Sequence, residues 1–312
     1  MSDTTPAQNT GTREGVAVVV ATRDRPVLLR RTIESILTQE YDGPIEMIIV
    51  FDRSEPDEDL IRADPMRSVR LTTNVNTPGL AGARNSGIAL VDKPWVAFCD
   101  DDDEWLPGKL KAQMDDLEAT GSKFSMTGSL VNYRGGDNVR RADKTEVTKD
   151  GLLHSRIFEI PSSSFILDTV FVRDTLGGID EILPGSYGED YDLMLRAADH
   201  TEFSVVEDAL CRVYWHGSSF FFERWKLIDD ALEYMVDKHP DFQKAPKGLA
   251  RIIGQQAIAQ AEINDRKRAL ASVKKVVKLN WKEPRWPLAL LVVAGMPANV
   301  LLKVLHRFGK GI

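Results

Sequence analysis

The sequence predicts an α/β protein, an open and mostly parallel sheet flanked by helices with a helical region after it. Three observations carry this. Val16–Ala21 is an unbroken, valine-rich apolar run, the pattern of a strand buried on both faces. A helical pattern and a second apolar run, Ile45–Phe51, follow it directly, and a strand–helix–strand unit of this kind closes into parallel pairing with a right-handed crossover. A third apolar run, Trp95–Cys99, leads into five successive carboxylates, Asp100-Asp101-Asp102-Asp103-Glu104. Open α/β sheets hold their ligands at the carboxyl ends of buried strands.

The elements follow in order. Thr22-Arg23-Asp24-Arg25-Pro26 ends the first strand, and Pro26 suits the first turn of a helix that carries Leu29, Ile33, Ile36 and Leu37 on one face. The second strand ends in Asp52. A charged stretch near residues 55–63 precedes a short strand at Val69–Leu71, and Asn76-Thr77-Pro78-Gly79 reads as a turn. Leu80–Val91 is a helix rich in small residues. Leu106–Thr120 is the next helix, with Pro107 in its first turn and Gly121 just past its end. Lys123–Val131 reads as a strand, and the polar, glycine-bearing stretch Tyr133–Gly151 as a mobile loop. Ser164–Leu176 mixes strand and helix signals. Gly188–Asp199 is a helix, and Phe203–Val206 and Leu210–Trp215 are strands. After Ser218 the pattern is helical, with Gly248–Ile263 and Lys267–Val277 forming an antiparallel pair around Asn264-Asp265. The expected organisation is a disordered stretch over 1–15, a catalytic domain over 16–220, and a helical region with a basic, apolar tail over 221–312.

A chain of 312 residues has ample material for a core, and 43% hydrophobic with 28% charged residues is an ordinary soluble composition. A net charge of -7 gives no reason to expect nucleic-acid binding. Cys99 and Cys211 make no disulfide framework, so a reducing cytoplasm is the default, and both sit in strand patterns as buried apolar residues. Met1–Gly15 lacks the apolar segment of a signal peptide. Leu288–Ala294 and Val300–Leu305 are each too short to cross a bilayer, which takes about 20 apolar residues. With the basic residues around them they form either a helix lying on the inner membrane face or one packed on the catalytic domain.

Carboxylate oxygens after a strand suit a hard cation, Mg²⁺ or Mn²⁺, shared with substrate phosphates. A merely solvated acidic turn is the plain alternative. The preceding strand and Trp105 behind the run favour a site.

Five segments together carry a family resemblance. They are Val18-Val19-Val20-Ala21-Thr22-Arg23-Asp24-Arg25-Pro26, Ile48-Ile49-Val50-Phe51-Asp52, Gly79-Leu80-Ala81-Gly82-Ala83-Arg84-Asn85-Ser86-Gly87, Asp100–Asp103 with Pro107, and Gly188-Glu189-Asp190-Tyr191-Asp192. In this order they resemble glycosyltransferase family 2 over roughly residues 16–220. The resemblance implies a GT-A fold, a nucleoside-diphosphate sugar donor, Mn²⁺ or Mg²⁺, and inversion at the anomeric carbon.

It also implies roles. Asp100-x-Asp102 matches the family's Asp-x-Asp motif, with Asp102 on the metal and Asp100 toward the ribose or a metal-bound water. Asp101 is counted on the donor side, and Asp101 and Asp103 leave the register open by one residue. Asp190 is the base that takes the acceptor proton. A capping box at Ser186-x-x-Glu189 would explain Glu189 but leaves Asp190 and Asp192 to be accounted for. Thr22, Arg23 and Asp52 lie at strand ends facing the nucleotide, with Asp52 placed for a uracil or thymine edge. Arg84 is similar to a nucleotide-contacting arginine, the alternative being an ion pair with the acidic run. His216 follows the last strand, placed either near the metal and diphosphate or in a structural role. Phe221 stands where the Gln-x-x-Arg-Trp motif of processive synthases has its glutamine. Transfer of one sugar from a UDP- or dTDP-sugar is therefore expected, to a hydroxyl of a glycan, lipid or small molecule.

Two other functions compete. A sugar nucleotidyltransferase would carry a glycine-rich, lysine-bearing loop after the first strand, where this chain has Thr22-Arg23-Asp24-Arg25-Pro26. A metal-stabilised binding module of EF-hand type would need alternating ligands around a central glycine, which the acidic run lacks.

Overall fold

The valine-rich opening run becomes the centre of a sheet. In the computed structural model, which describes residues 13–133, 135–157, 159–215 and 224–300, β1 (Val16–Thr22) is followed by α1 (Pro26–Leu37) and β2 (Ile45–Phe51). Val16 to Val20 are fully buried, each valine among them worth roughly 1.5–3 kcal/mol in burial. β3 (Arg67–Thr73), α2 (Leu80–Ile88) and β4 (Trp95–Phe98) complete a parallel block. The small residues of α2 let it lie close on this block. A Cβ on Gly87 would come within 2.4 Å of Val19.

The second half is mixed. β5 (Glu104–Trp105), α3 (Lys109–Thr120), β6 (Phe124–Tyr133), β7 (Gly136–Arg140), α4 (Lys149–His154), β8 (Ile166–Asp168), α5 (Glu189–Ala197) and β9 (Ser204–Tyr214) follow. The nine-stranded sheet runs β3-β2-β1-β4-β8-β6-β9-β5, with β7 hung on β6. One apolar cluster covers each face of the sheet. Cys99 and Cys211 are free thiols buried in the second cluster.

Three segments differ from their sequence pattern. The stretch expected to be a mobile loop after Tyr133 contains β7 and α4. β7 is exposed and carries no apolar alternation, and its backbone pairs with β6 from Ser129↔Arg140 to Tyr133↔Gly136. The two expected strands at 203–215 are one strand, β9, and the polar pair Glu207-Asp208 is taken up in a register shift opposite Thr127 and Gly128. Trp105, expected only as an aromatic behind the run, forms β5, pairing with Cys211 and burying its ring.

The C-terminal helices are α6 (Trp225–Lys238), α7 (Pro246–Glu262), α8 (Arg266–Leu279) and α9 (Arg285–Val293). α7 and α8 form the expected antiparallel pair. They turn through Asn264 in the left-handed region, φ 63°, and Asp265 caps α8. Asp192 ties α5 to the end of α6. It is fully buried and held by Arg196 at 2.8 Å, Lys238 at 2.7 Å and His239 at 2.8 Å. Burial opposes its charge, but these partners prevail and hold its carboxyl below the usual carboxylate range. Among the described residues no helix is long and apolar enough to cross a membrane.

Candidate active site

The acidic run folds as a turn, with the Asp103 amide donating to the Asp100 carbonyl at 3.1 Å. Adjacent side chains leave such a turn in opposite directions, and the four aspartates split accordingly. Asp101 and Asp103 point inward. Asp101 accepts from the Thr22 hydroxyl at 2.7 Å and from Arg25 at 3.0 Å, and Asp103 accepts from the Ser163 hydroxyl at 2.6 Å. Burial pushes both carboxyls up, Asp103 well above its ordinary range. Asp100 and Asp102 point outward, with side chains 37% and 20% exposed. Asp102 accepts from Arg25 at 2.7 Å. α1 fixes the turn from one side, because Arg31 and Thr32 donate to the Asp102 and Asp103 carbonyls. Ser163 fixes it from the other, accepting the Asp100 amide at 3.0 Å.

Asp100 leads into a buried ionic chain. Arg84, on α2, is fully buried and bridges Asp100 at 2.6 Å, the Ser162 hydroxyl at 2.9 Å, and Glu189. Burial works against the Arg84 charge, yet Glu189 and Asp100 outweigh it and hold the guanidinium firmly protonated. Burial lifts the Glu189 carboxyl to about 7 despite Arg84, and Glu189 Oε2 is buried with no hydrogen-bond partner among the described residues.

Glu189 and Asp190 open α5. The capping box does not form. Gly188 occupies the N-cap with φ 84°, where glycine has no Cβ penalty, and the Ser186 hydroxyl instead accepts from the Ala81 amide at 3.2 Å. The Asp190 side chain is 18% exposed and faces Arg156, whose Nη2 donates to Oδ1 at 2.8 Å and to Oδ2 at 3.1 Å. The Tyr191 amide also donates to Oδ1 at 2.8 Å. Acids in this first turn also face the positive end of the helix dipole.

At the ends of β2 and β3 lies an open cleft of about 380 Å³, lined by Phe51, Asp52, Arg53, Thr73, Asn74 and Pro78 among others. Asp52 accepts from the Asn74 side chain at 2.8 Å and the Gly79 amide at 3.2 Å. Arg23 projects from the end of β1 with its side chain 52% exposed.

The structure thus brings Thr22, Asp52, Asp100–Asp103, Arg84 and Asp190 to one edge of the sheet. Thr22 and Asp101 are occupied with each other, and Arg84 is occupied with Glu189, Asp100 and Ser162. His216 lies outside the described residues. Sequence reading missed Arg156, Ser162 and Ser163. All three lie in the segment between α4 and β8, which supplies a partner to Asp190, to Arg84 and to the acidic turn. Only the serine run Ser162-Ser163-Ser164 ahead of an apolar strand hinted at buried hydroxyls.

The donor set suits a hard divalent cation. Two outward carboxylates with solvent access match what Mg²⁺ or Mn²⁺ needs when a diphosphate supplies further oxygens. Among the described residues, the three carboxylates close enough together to surround an ion on their own are Asp229, Asp230 and Glu233 on α6, where Arg268 and Lys226 already pair with them.

A model of glycosyl transferase family 2 matches residues 17–173. The chain is 28% identical over 211 residues to the succinoglycan biosynthesis protein ExoO of Rhizobium meliloti, covering 64% of this chain and 60% of that protein. It is 32% identical over 119 residues to an Escherichia coli UDP-Glc:alpha-D-GlcNAc-diphosphoundecaprenol beta-1,3-glucosyltransferase, covering 38% of this chain and 47% of that protein. The chain therefore spans about half to three-fifths of the length of these relatives. Among solved structures, S. aureus TarS 1-349 in complex with UDP-GlcNAc is similar with a TM-score of 0.62 at 17% identity, covering 85% of this chain and 81% of that one. A Pyrobaculum calidifontis mannosyltransferase in complex with GDP-Man and Mn²⁺ is similar with a TM-score of 0.58 at 14% identity, covering 90% of this chain and 86% of that one. The likeness in fold is to the GT-A arrangement expected from the sequence.

Proposed function

The chain belongs to glycosyltransferase family 2, a family of transferases, and from that premise we propose that it moves one sugar from a nucleoside diphosphate to an acceptor hydroxyl with inversion. One observation carries the reading. A pair of outward carboxylates, Asp100 and Asp102, and a separate carboxylate, Asp190, share one edge of the sheet, where Arg84 bonds both Asp100 and Glu189, the residue beside Asp190. Inverting transfer needs these two functions apart, one for the leaving diphosphate and one for the incoming hydroxyl.

The roles follow from placement. The cleft beside Asp52 takes the nucleoside, where a carboxylate accepts from a base N–H. Asp102, with Asp100 beside it, would hold Mn²⁺ or Mg²⁺. Such a cation, when bound, offsets the charge that builds on the departing diphosphate. Asp190 takes the acceptor's proton as the hydroxyl oxygen bonds to the anomeric carbon. The bond from that carbon to the diphosphate oxygen breaks, and the nucleoside diphosphate leaves with the electron pair. The expected reaction is transfer of a single sugar from a UDP- or dTDP-sugar, with His216 kept from the family resemblance as a further candidate ligand.

The test is a panel of UDP-, dTDP- and GDP-sugars scored by released nucleoside diphosphate, with thermal shift on UDP and Mn²⁺. Stabilisation by UDP that requires Mn²⁺, and that is lost in Asp102→Ala, is expected. Stabilisation by Mn²⁺ alone favours a binding module, and UDP binding in Asp102→Ala that still depends on Mn²⁺ sinks the ligand assignment.

A lipid-linked acceptor is supported by the relatives named for diphosphoundecaprenol sugars and by the tail. Between Arg266 and Val300 the one acid is Glu283, buried and bonded to Arg285 at 2.6 Å. Leu270, Val277, Trp281, Leu290 and Leu291 are exposed along the same stretch as Lys274, Lys275 and Lys278. An uncompensated basic, apolar surface suits an anionic bilayer face. Sedimentation with phosphatidylglycerol vesicles is expected, weakened in Lys274→Glu/Lys278→Glu; equal partitioning of both forms removes the membrane from the reading.

A further inference from the structure

We propose that Arg156 is a positioning residue for proton removal, turning the Asp190 carboxylate so that Oδ1 is held and Oδ2 meets the acceptor hydroxyl. The inference rests on Asp190 as the base and goes beyond it by naming the oxygen that works and the side chain that selects it.

The two oxygens of Asp190 are not equivalent. Oδ1 accepts two bonds at 2.8 Å, from the Tyr191 amide and from Arg156 Nη2. Among the described residues Oδ2 accepts one, the longer 3.1 Å bond from the same nitrogen. A carboxylate oxygen carries about two acceptor directions, so Oδ1 is filled and Oδ2 keeps one open. Tyr191 fixes the carboxylate from its own helix, and Arg156 fixes it from the segment after α4. The Arg156 guanidinium is itself braced, 5.8 Å from the Tyr187 ring centre. Its side chain is only 24% exposed, so its charge is little screened by water.

Among the described residues, the charges set against this carboxylate are Arg156 from the segment after α4, Arg84 from α2, and Glu189 on α5 itself. Arg84 is committed to Glu189 and Asp100, which leaves Arg156, among the described residues, as the cation that touches Asp190. Orienting the Asp190 carboxylate from outside its own helix is therefore work for Arg156, whose Nη2 reaches both of its oxygens.

The test compares Arg156→Gln and Arg156→Lys with the unmodified chain, using donor hydrolysis by water and the sugar nucleotide that performs best in the panel. For Arg156→Gln, turnover falls about 30-fold with UDP binding unchanged, and the acid limb of the pH–rate profile moves up by about one pH unit, as expected on removing a close opposite charge. Arg156→Lys keeps the charge but on a flexible ammonium in place of the planar guanidinium, so it restores the acid limb and only part of the turnover. A substrate-free measurement stands beside it. With carbon-13-labelled aspartate, the Asp190 carboxyl signal, assigned by its loss in Asp190→Asn, takes up its proton at higher pH in Arg156→Gln. An unmoved signal and acid limb overturn the proposal, as does a lower melting temperature with normal turnover per folded molecule. A failure of the base reading looks different, because Asp190→Asn would then turn over normally whatever Arg156 variants do.

Discussion

The acidic turn after β4 and the first turn of α5 each present paired carboxylates to the same edge, but they are balanced differently. At α5 the counter-charges belong to the protein and lie deep, with Arg84 fully buried and the Arg156 side chain 24% exposed. At the acidic turn Asp100 shares Arg84 with Glu189, and Asp102 faces Arg25, whose side chain is 41% exposed. A carboxylate held by the protein's own cations is fixed in orientation, which suits the proposed proton acceptor. A carboxylate paired with a half-exposed arginine can exchange that partner for another cation, which suits the proposed metal site. Under the proposed function, the contrast separates the proton acceptor from the groups that hold the donor.

The sharpest way to break the contrast is Asp190→Asn. Asparagine keeps the shape and the Tyr191 contact but cannot take a proton, so turnover falls by about 10³-fold, within the range for general base catalysis. UDP binding stays unchanged, because the donor side is separate. Turnover within tenfold of the unmodified chain would remove Asp190 from the reaction. Arg156 loses its ion pair with Asp190 in this variant, so rates are compared per folded molecule.

Arg84→Met tests whether the α5 side is balanced internally. Removing one partner of a buried ion pair costs about 3–5 kcal/mol, read by urea unfolding. The loss depends on pH with a definite sign. Glu189 sits near 7 in the folded chain against an ordinary 4.5, so its ionised form already opposes folding as pH rises between those values. Without Arg84 that opposition grows, and the variant is closer to the unmodified chain at pH 5.5 than at pH 8. A loss independent of pH would mean that Glu189 does not carry it.

The acidic-turn side contains a buried cation too, and it pairs with a ring instead of a carboxylate. Lys109 is fully buried, its Nζ 3.8 Å from the Trp105 ring centre and without a hydrogen-bond partner among the described residues. Burial lowers its pKa to about 8. A lysine depressed on folding opposes stability fully below the folded value and not at all above the unfolded one, near 10.5. The opposition is about 3 kcal/mol at neutral pH, and a desolvated cation–π contact returns about 2 kcal/mol or less. Lys109→Met therefore stabilises by roughly 1 kcal/mol at pH 7, a gain that fades toward pH 10. Destabilisation at pH 7 would show that the ring contact dominates.

The same contrast explains what could be read from the chain. β1, β2 and β4 were legible because strands buried on both faces are continuous apolar runs, and the acidic turn because charge directly after such a run is conspicuous. Glu189 and Asp190 were legible only through the family's motif. Their partners were not, since Arg156, Ser162 and Ser163 sit in a segment without periodicity and are buried only by long-range pairing. Arg84 was visible as a residue, but its burial depends on α2 lying close against β1, which small residues permit without announcing. β5 and β7 were hidden because one is two residues long and the other is exposed, so neither carries a hydrophobic pattern.

The smallest expected effect is the most discriminating for the metal reading. Arg25 Nη1 reaches Asp101 at 3.0 Å and Asp102 at 2.7 Å. Its exposure makes the pairing a surface salt bridge, worth about 0–1 kcal/mol, so Arg25→Ala barely moves the unfolding midpoint. Arg25 and a divalent cation draw on the same Asp102 oxygen, however, and both are positive. Removing the arginine lifts that competition and the like-charge repulsion together, so Mn²⁺ binding by calorimetry tightens by about threefold, a free-energy change below 1 kcal/mol. If Arg25 instead props Asp102 toward the metal, Mn²⁺ binding weakens, and the turn is then a preorganised site rather than a surface awaiting a cation.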